Sequence, residues 1–354
     1  MKNARKLLVL LLTVVLAIGL FSACADGGAT QTPAPAPAPT PAAPSPDAAP
    51  ADEEDSEESE ATVFQIGIIQ LVEHPALDAA REGFLAALAD NGIEAEIDFQ
   101  NAQRDIPTLS TIAQRFVNNN VDLVLAIATP SVQAMAAETY TIPIVGSAIT
   151  SYERAGVVYS NEVPGTNVTG ASDMNPIQEQ IEMIIEFVPG IETLGIVFSS
   201  NEANSVYQAE IARGIAESLG LLVVEGTVTT TGDVQQNTLS VANRVDAIFI
   251  PTDNTHADAM AVVGQVSIET GVPVFPGEEN MVMGGGVATL SVNYFDLGYQ
   301  SGLMAVQILR GEGEPATMPI QFAHGLDYIV NGFMVDELGI TVPERFSGSI
   351  QLPE

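Results

Sequence analysis

The stretch Phe64-Gln-Ile-Gly-Ile-Ile-Gln70, followed by Pro75-Ala-Leu-Asp-Ala-Ala-Arg-Glu-Gly-Phe-Leu-Ala-Ala-Leu-Ala-Asp-Asn91, decides the fold class. The first run is short, apolar and rich in β-branched residues, which is how a strand buried on both faces reads. The second carries Leu77, Ala80, Phe84, Leu85 and Leu88 at helical spacing and stops at Gly92, a helix-ending signal. Together they make one βα unit, and the unit repeats. Strand-like Ile93–Phe99, helix-like Ile106–Val117, strand Asp122–Ala128, helix Pro130–Glu138 and strand Ile142–Ala148 follow. Such alternation predicts a parallel sheet with helices on both faces.

The alternation then restarts. Helix Ile177–Phe187, strand Thr193–Ser199, helix Asn204–Leu219, strand Leu221–Val228 and helix Val234–Asn243 lead into strand Val245–Ile250. Helix Ala257–Thr270, strand Val272–Phe275 and a last helix at about Phe295–Leu309 complete the set. The halves share element order without a close sequence repeat. The expectation is an α/β protein of two doubly wound parallel-sheet lobes joined by a hinge. Lobe 1 is placed at residues 63–149 plus about 288–312, and lobe 2 at 150–287 plus about 313–354.

Upstream of Val63 the composition changes. Residues 1–23 have a basic start (Lys2, Arg5, Lys6), an apolar run from Leu7 to Phe21, then Ser22 and Ala23. That is the layout of a secretory signal, too short for a membrane span. Leu20-Phe21-Ser22-Ala23-Cys24 resembles a bacterial lipobox, with Phe21 in place of the usual Leu, and Cys24 is the chain's single cysteine. The expectation is lipidation at Cys24 and anchoring to the outer side of the cytoplasmic membrane. Residues 33–50 carry eight prolines, and residues 52–60 form the acidic run Asp-Glu-Glu-Asp-Ser-Glu-Glu-Ser-Glu. The first favours extended polyproline II, spanning on the order of 50–60 Å, and the second repels itself, so residues 24–62 read as a tether.

Charge removes whole classes of function. The chain has 354 residues and a formal charge of −34, with 46% hydrophobic residues, too apolar for wholesale disorder. From Cys24 onward there is no lysine, and all 45 acidic residues face only eight arginines, a charge of −37. Without lysine there is no Walker-A phosphate site, Schiff base or kinase chemistry. So acidic a surface also repels nucleic acid.

In open α/β sheets ligands sit beyond the carboxyl ends of the strands, and here those ends are polar. The first strand ends in Gln70-Leu-Val-Glu73-His74, the third in Thr129-Pro130-Ser131, and Ser147 lies near the end of the fourth. In the second half the ends are Ser199-Ser200-Asn201-Glu202-Ala203-Asn204-Ser205 and Pro251-Thr252-Asp253-Asn254-Thr255. Thr129, Asn201 and Thr255 also suit helix capping, and Pro130 suits a first helical turn. Polar ends in both halves point to a cleft between two lobes. Catalysis finds no matching set: His74, His256 and His324 lack metal-ligand spacing, and no Gly-x-Ser-x-Gly or His-Glu-x-x-His occurs. Glu278 and Glu279 are adjacent, so an extended chain points them apart. The expectation is a binding protein with no cofactor or metal, and not an enzyme.

Several stretches resemble the ABC transporter substrate-binding lipoproteins of the TrpX type. They are Ile66-Gly-Ile-Ile-Gln-Leu-Val-Glu-His-Pro-Ala-Leu-Asp-Ala-Ala-Arg-Glu-Gly-Phe84, Asn101-Ala-Gln103, Ile127-Ala-Thr-Pro130, Asn167-Val-Thr-Gly-Ala-Ser-Asp173, Asn201-Glu-Ala-Asn-Ser205 and Pro251-Thr-Asp-Asn254. The resemblance covers residues 63–345. Arg104 stands where the pattern has Gly, and Thr150-Ser-Tyr-Glu-Arg-Ala-Gly156 replaces a Thr-Asp-Pro-like crossover. The resemblance implies a type I periplasmic-binding fold with three crossovers between lobes. It also implies permease and ATPase partners, a monomer, and a small-molecule ligand, aromatic amino acids being the best-known type. For an amino acid, Thr129, Ser131 and the amides of their helix start suit the carboxylate, and Asp253 or Glu202 suits the ammonium. Tyr152, Phe198 and Tyr207 are side-chain pocket candidates by position. A nucleoside or sugar ligand, or a sensing module for a membrane kinase, stay open as alternatives.

Overall fold

The computed structural model describes residues 63–351. The export signal, Cys24 and the tether lie outside the described residues. The first lobe opens with β1 (Phe64–Gln70), α1 (Pro75–Asp90), β2 (Ala95–Asn101), α2 (Ile106–Asn119), β3 (Leu123–Ile127), α3 (Thr129–Glu138) and β4 (Ile144–Ile149). A single-turn α4 (Tyr152–Ala155) and β5 (Val168–Ser172) follow. β3 and β4 are buried along their whole length, as strands covered on both faces must be.

The second lobe holds α5 (Ile177–Phe187), β6 (Thr193–Ser199), α6 (Ala203–Ser218), β7 (Leu222–Val228), α7 (Val234–Ala242), β8 (Ala247–Ile250), α8 (Asn254–Ala257), α9 (Met260–Thr270), β9 (Val274–Pro276), α10 (Glu279–Gly285) and β10 (Ala288–Ser291). The chain returns to the first lobe for α11 (Tyr294–Leu309) and β11 (Gln321–Phe322). It then ends in the second with β12 (Asp327–Asn331), α12 (Gly332–Leu338) and β13 (Ile350–Gln351).

Strand pairing fixes what belongs where. The first sheet runs β11-β5-β4-β3-β1-β2, and the second β7-β6-β8-β9, each with parallel pairs throughout; β10-β12-β13 form a small mixed sheet beside the second. Since β5 pairs with β4 and β11 with β5, residues 150–172 and 313–322 belong to the first lobe, and β10 belongs to the second. The expected boundaries at 149, 288 and 313 therefore move to the crossovers at 173–176, 292–293 and 323–326. Helix 257–270 is in fact two helices, parted at Asp258-Ala259, because Asp253 caps a separate four-residue helix ahead of it.

α1 and α11 lie unusually close. A Cβ at Gly298 would run into the backbone of Ala80, and one at Gly83 into the backbone of Phe295, so these glycines are what permits the approach. The contact roots the returning helix in the first core, beside Phe84, Leu297 and Ala305. A second core, built on Ile184, Ile196, Phe198, Phe249 and Phe275, takes in Val330, Met334 and Phe346 from the C-terminal segment.

Candidate ligand-binding cleft

The carboxyl ends of both main sheets face one another across a narrow cavity of about 10 Å³, room for about one water between close-set side chains. From the first lobe come His74, Leu77 and Ala148; from the crossovers Asp173 and Tyr294; from the second lobe Asn204, Thr252, Asp253, Asn254, Glu278 and Met281.

On the first-lobe side, Gln70 is buried and engaged in shaping its own loop. Its Nε2 donates to the Val72 carbonyl and to Asp78 Oδ1, both at 2.8 Å, while Oε1 accepts from Arg81. Glu73 is exposed and outside the cavity lining. The next residue reaches the cleft: His74 Nε2 lies 3.1 Å from Asn254 Oδ1 of the opposite lobe. Asn254 Nδ2 already donates to Glu202, so Oδ1 accepts and the His74 proton sits on Nε2. Burial holds the imidazole pKa below its ordinary value.

At the start of α3 the capping expectation is corrected. Ala128, at φ 76°, occupies the cap position, and Thr129 is already helical with no capping bond. The Ser131 amide turns back to the Ala128 carbonyl at 3.0 Å, and Pro130 has no amide proton to offer. What remains is a set of hydroxyls. Thr129 Oγ1, Ser131 Oγ and Ser147 Oγ are buried at the ends of the neighbouring strands β3 and β4, and none has a partner among the described residues. Buried polar atoms are nearly always paired, so three orphans in one place are notable. Thr129 also lines a narrow gap beside the cavity with Arg154, Asn204 and Tyr207.

On the second-lobe side the acidic residues are already engaged. Glu202 clamps the start of α8: Oε1 accepts from the Thr255 amide (2.9 Å) and hydroxyl (2.7 Å), and Oε2 from the Asn254 amide (3.1 Å) and side chain (2.6 Å). Burial, and then the nearby Asp253 charge, push the Glu202 carboxyl above its ordinary range. Asp253 Oδ2 accepts from the Ser199 amide at 2.6 Å, and Oδ1 from the His256 amide at 2.8 Å, with His256 Nδ1 2.9 Å away. Burial alone would raise its pKa, but the His256 charge and these hydrogen bonds outweigh that and lower it. Asn204 and Ser205 direct side-chain donors at the Thr252 carbonyl, at 3.1 and 3.4 Å. Asn201 is exposed and bonded to the Thr229 carbonyl, outside the cavity lining.

The first crossover, the start of α11 and the second lobe supply what sequence reasoning passed over as site residues. Asp173 Oδ1 accepts from Thr150 Oγ1 at 2.9 Å and Oδ2 from Tyr294 OH at 3.1 Å; burial pushes its carboxyl up to about 6. Glu278 caps α10 through the Asn280 and Met281 amides, both at 2.8 Å, and burial pushes it up to about 7. Gln208 bridges the lobes, its Nε2 lying 3.3 Å from both Thr150 Oγ1 and the Thr252 carbonyl. Of the aromatic candidates, Tyr152 is sealed in the first core with its hydroxyl on the Ala171 carbonyl, and Phe198 lies in the second core. Tyr207 lines the narrow gap, under the Arg154 guanidinium at 4.9 Å.

Two lobes with polar strand ends closing on a carboxylate-lined cavity form a device for enclosing a small polar molecule. The model of the ABC transporter substrate binding protein family matches residues 65–351. The chain belongs to that family. This substrate-binding protein is 37% identical to a "Tyrosine-binding protein" of Clostridioides difficile (strain R20291) over 75% of its own length and 78% of that protein's. Among solved structures it is similar to the ABC domain in complex with L-Trp from Streptococcus pneumonia, at 35% identity and TM-score 0.79, covering 82% of this chain and 99% of the other. It is also similar to the ligand-free, open structure of a Clostridium difficile substrate-binding protein with adhesive properties, at 40% identity but TM-score 0.65, covering 82% and 98%. The greater likeness in shape thus goes with the ligand-bound relative although its sequence is the less similar. Bonds across the cleft from His74 and Gln208 agree: the lobes of this substrate-binding protein are drawn together. The fold is the type I periplasmic-binding one, and its family is one of binding proteins rather than enzymes.

Proposed function

We propose that this substrate-binding protein captures an aromatic L-amino acid between its lobes and passes it to the permease of an ABC importer. Substrate-binding proteins of such importers act outside the cytoplasm, and among the described residues no helix is long and apolar enough to cross a membrane. Lipidation of Cys24, with the proline-rich and acidic tether between anchor and lobes, keeps a monomeric receptor on the outer side of the cytoplasmic membrane.

The observation that carries the reading is a carboxylate on the cavity wall, Asp173, together with unpartnered hydroxyls at the strand ends of the first lobe, of which Thr129 lines the gap beside the cavity. An amino acid is a carboxylate and an ammonium one carbon apart. The unpartnered hydroxyls of Thr129, Ser131 and Ser147 are donors waiting for an acceptor. Asp173, on the cavity wall, holds only neutral donors, two hydroxyls and a backbone amide, so an ammonium is the partner its ionised form lacks. Asp253 and Glu202 are occupied in building α8, which moves the ammonium assignment from them to Asp173. The relatives named for tyrosine and solved with L-Trp support the aromatic choice.

The test is a thermal-shift panel on residues 61–354 with the twenty amino acids, common nucleosides and sugars, followed by calorimetry on any hit. Stabilisation by tyrosine or tryptophan is the expected result. Stabilisation by nucleosides or sugars alone discards the amino-acid reading.

A further inference from the structure

We propose that Arg104 and Asp258 form a latch across the cleft that sets how long the lobes stay closed on a bound molecule. The proposal rests on the reading that a ligand occupies the cleft. Arg104 sits in the turn between β2 and α2 of the first lobe, and Asp258 in the break between α8 and α9 of the second. Arg104 Nη2 lies 2.5 Å from Asp258 Oδ2. Neither residue is on the cavity wall; both lie beside His74, which is.

The backbone presents this arginine from a fixed base. Gln103 and Arg104 have φ of 50° and 69°, a left-handed conformation that glycine adopts freely and an arginine does not. The turn is held by the Arg104 amide on the Leu71 carbonyl at 2.8 Å and by Asp105 capping α2. An arginine in a position where glycine is the easier residue needs something to favour its side chain, and the opposite lobe provides it.

The electrostatics favour the closed arrangement. Bringing together two lobes of a strongly acidic protein works against their mutual repulsion. Among only eight arginines after Cys24, two reach across: Arg104 to Asp258, and Arg154 of α4 to Glu210 of α6 at 2.8 Å. The Arg154 pair is about half exposed on both sides, where screening leaves ion pairs weak. The Arg104 side chain is 23% exposed and that of Asp258 40%; the Arg104 Nε and Nη2 are buried and make no hydrogen bond of ordinary geometry, so the contact with Asp258 is one of charge at close range. When the lobes part, both groups return to water. A contact made only in the closed state shifts the opening equilibrium without altering the site itself.

The experiment places spin labels at Asn118→Cys on α2 and Gln265→Cys on α9 in residues 61–354, which contain no other cysteine. Interlobe distances are compared for the parent, R104G and the reversed pair R104D/D258R, each with and without the amino acid that gives the largest thermal shift. R104G relieves the left-handed backbone, so it folds, and an unchanged or raised melting temperature verifies that. The expected result is a shift of R104G toward longer distances, return toward the parent in R104D/D258R, and ligand dissociation about three- to tenfold faster in R104G alone. Indistinguishable distances for the parent and R104G in both conditions, or a reversed pair as open as R104G, overturn the latch. Distances follow the latch even if no amino acid binds, so its failure and that of the proposed ligand are separable.

Discussion

The Tyr294 hydroxyl donates to Asp173 Oδ2 at 3.1 Å, tying the crossover that leaves the first lobe to the helix that returns to it. The bond sits on the cavity wall, so hinge geometry and ligand chemistry meet in one carboxylate. Asp173→Asn keeps its shape and removes its charge. Calorimetry should show amino-acid affinity falling by about 10- to 100-fold, because a buried ammonium loses its counter-charge. Tyr294→Phe, which removes only the donor, should lower stability by about 1 kcal/mol and leave most of the affinity. Equal losses of affinity in the two variants would assign Asp173 to the hinge alone.

Glu278 gives a pH signature. Burial raises its carboxyl to about 7 in the folded protein, from 4.5 when exposed. The folded state therefore favours the protonated form. The stability this gives is fully present below pH 4.5 and is lost as pH rises through 7. The span corresponds to on the order of 3 kcal/mol. Asp173, raised to about 6, acts in the same direction over a lower window while the cleft is empty. Melting temperatures of Glu278→Gln between pH 5 and 8 should fall less steeply than those of the parent. Parallel curves would rule Glu278 out.

Ser131 separates binding from folding. Its hydroxyl has no partner among the described residues, so Ser131→Ala should leave melting of the empty protein within about 0.5 kcal/mol of the parent. The same change should weaken amino-acid binding by roughly tenfold, the worth of one hydrogen bond to a charged group. A loss of stability with intact binding would make the hydroxyl structural.

Asp253 should behave in the opposite way. Its carboxylate holds the Ser199 and His256 amides and faces the His256 ring, all in a buried setting. From sequence position alone, Asp253→Ala should abolish binding without unfolding. The structure predicts instead a drop in stability of about 3 kcal/mol, from unpaired buried donors and a lost helix cap. Chemical denaturation measures it directly.

Where side-chain pattern determines an element, the sequence was readable. Phe64–Gln70, Ile177–Phe187 and Thr193–Ser199 appear with the expected limits, because continuous apolar runs and helical spacing leave little choice. β5 escaped because Val168-Thr-Gly-Ala-Ser172 is made mostly of small residues, with Gly170 at φ 146°, and it is held in place by pairing with β4. α10 ends in Gly284-Gly-Gly286, which reads as loop. Strand-end logic points to Thr129, Ser131, Asn204 and Asn254; Asn204 and Asn254 lie on the cavity wall, Thr129 lines the gap beside it, and Ser131 is buried behind them. It misjudged Asn201, since a polar residue after a strand turns as readily to a neighbouring loop as to a cleft. Asp173 and Tyr294 lie far apart in sequence and meet only because two crossovers run side by side. Glu278 was set aside with its neighbour, yet the chain turns between them: Glu278 is an extended cap facing inward and Glu279 the first residue of the helix.

The threefold crossing of the chain between lobes also dictates an order of assembly. The first core is unfinished until α11, residues 294–309, lies against α1, and the second needs Val330, Met334 and Phe346. Neither half can seal while most of the chain is still being made. Both halves therefore come to order late and together, and a chain cut short before α11 carries neither core complete.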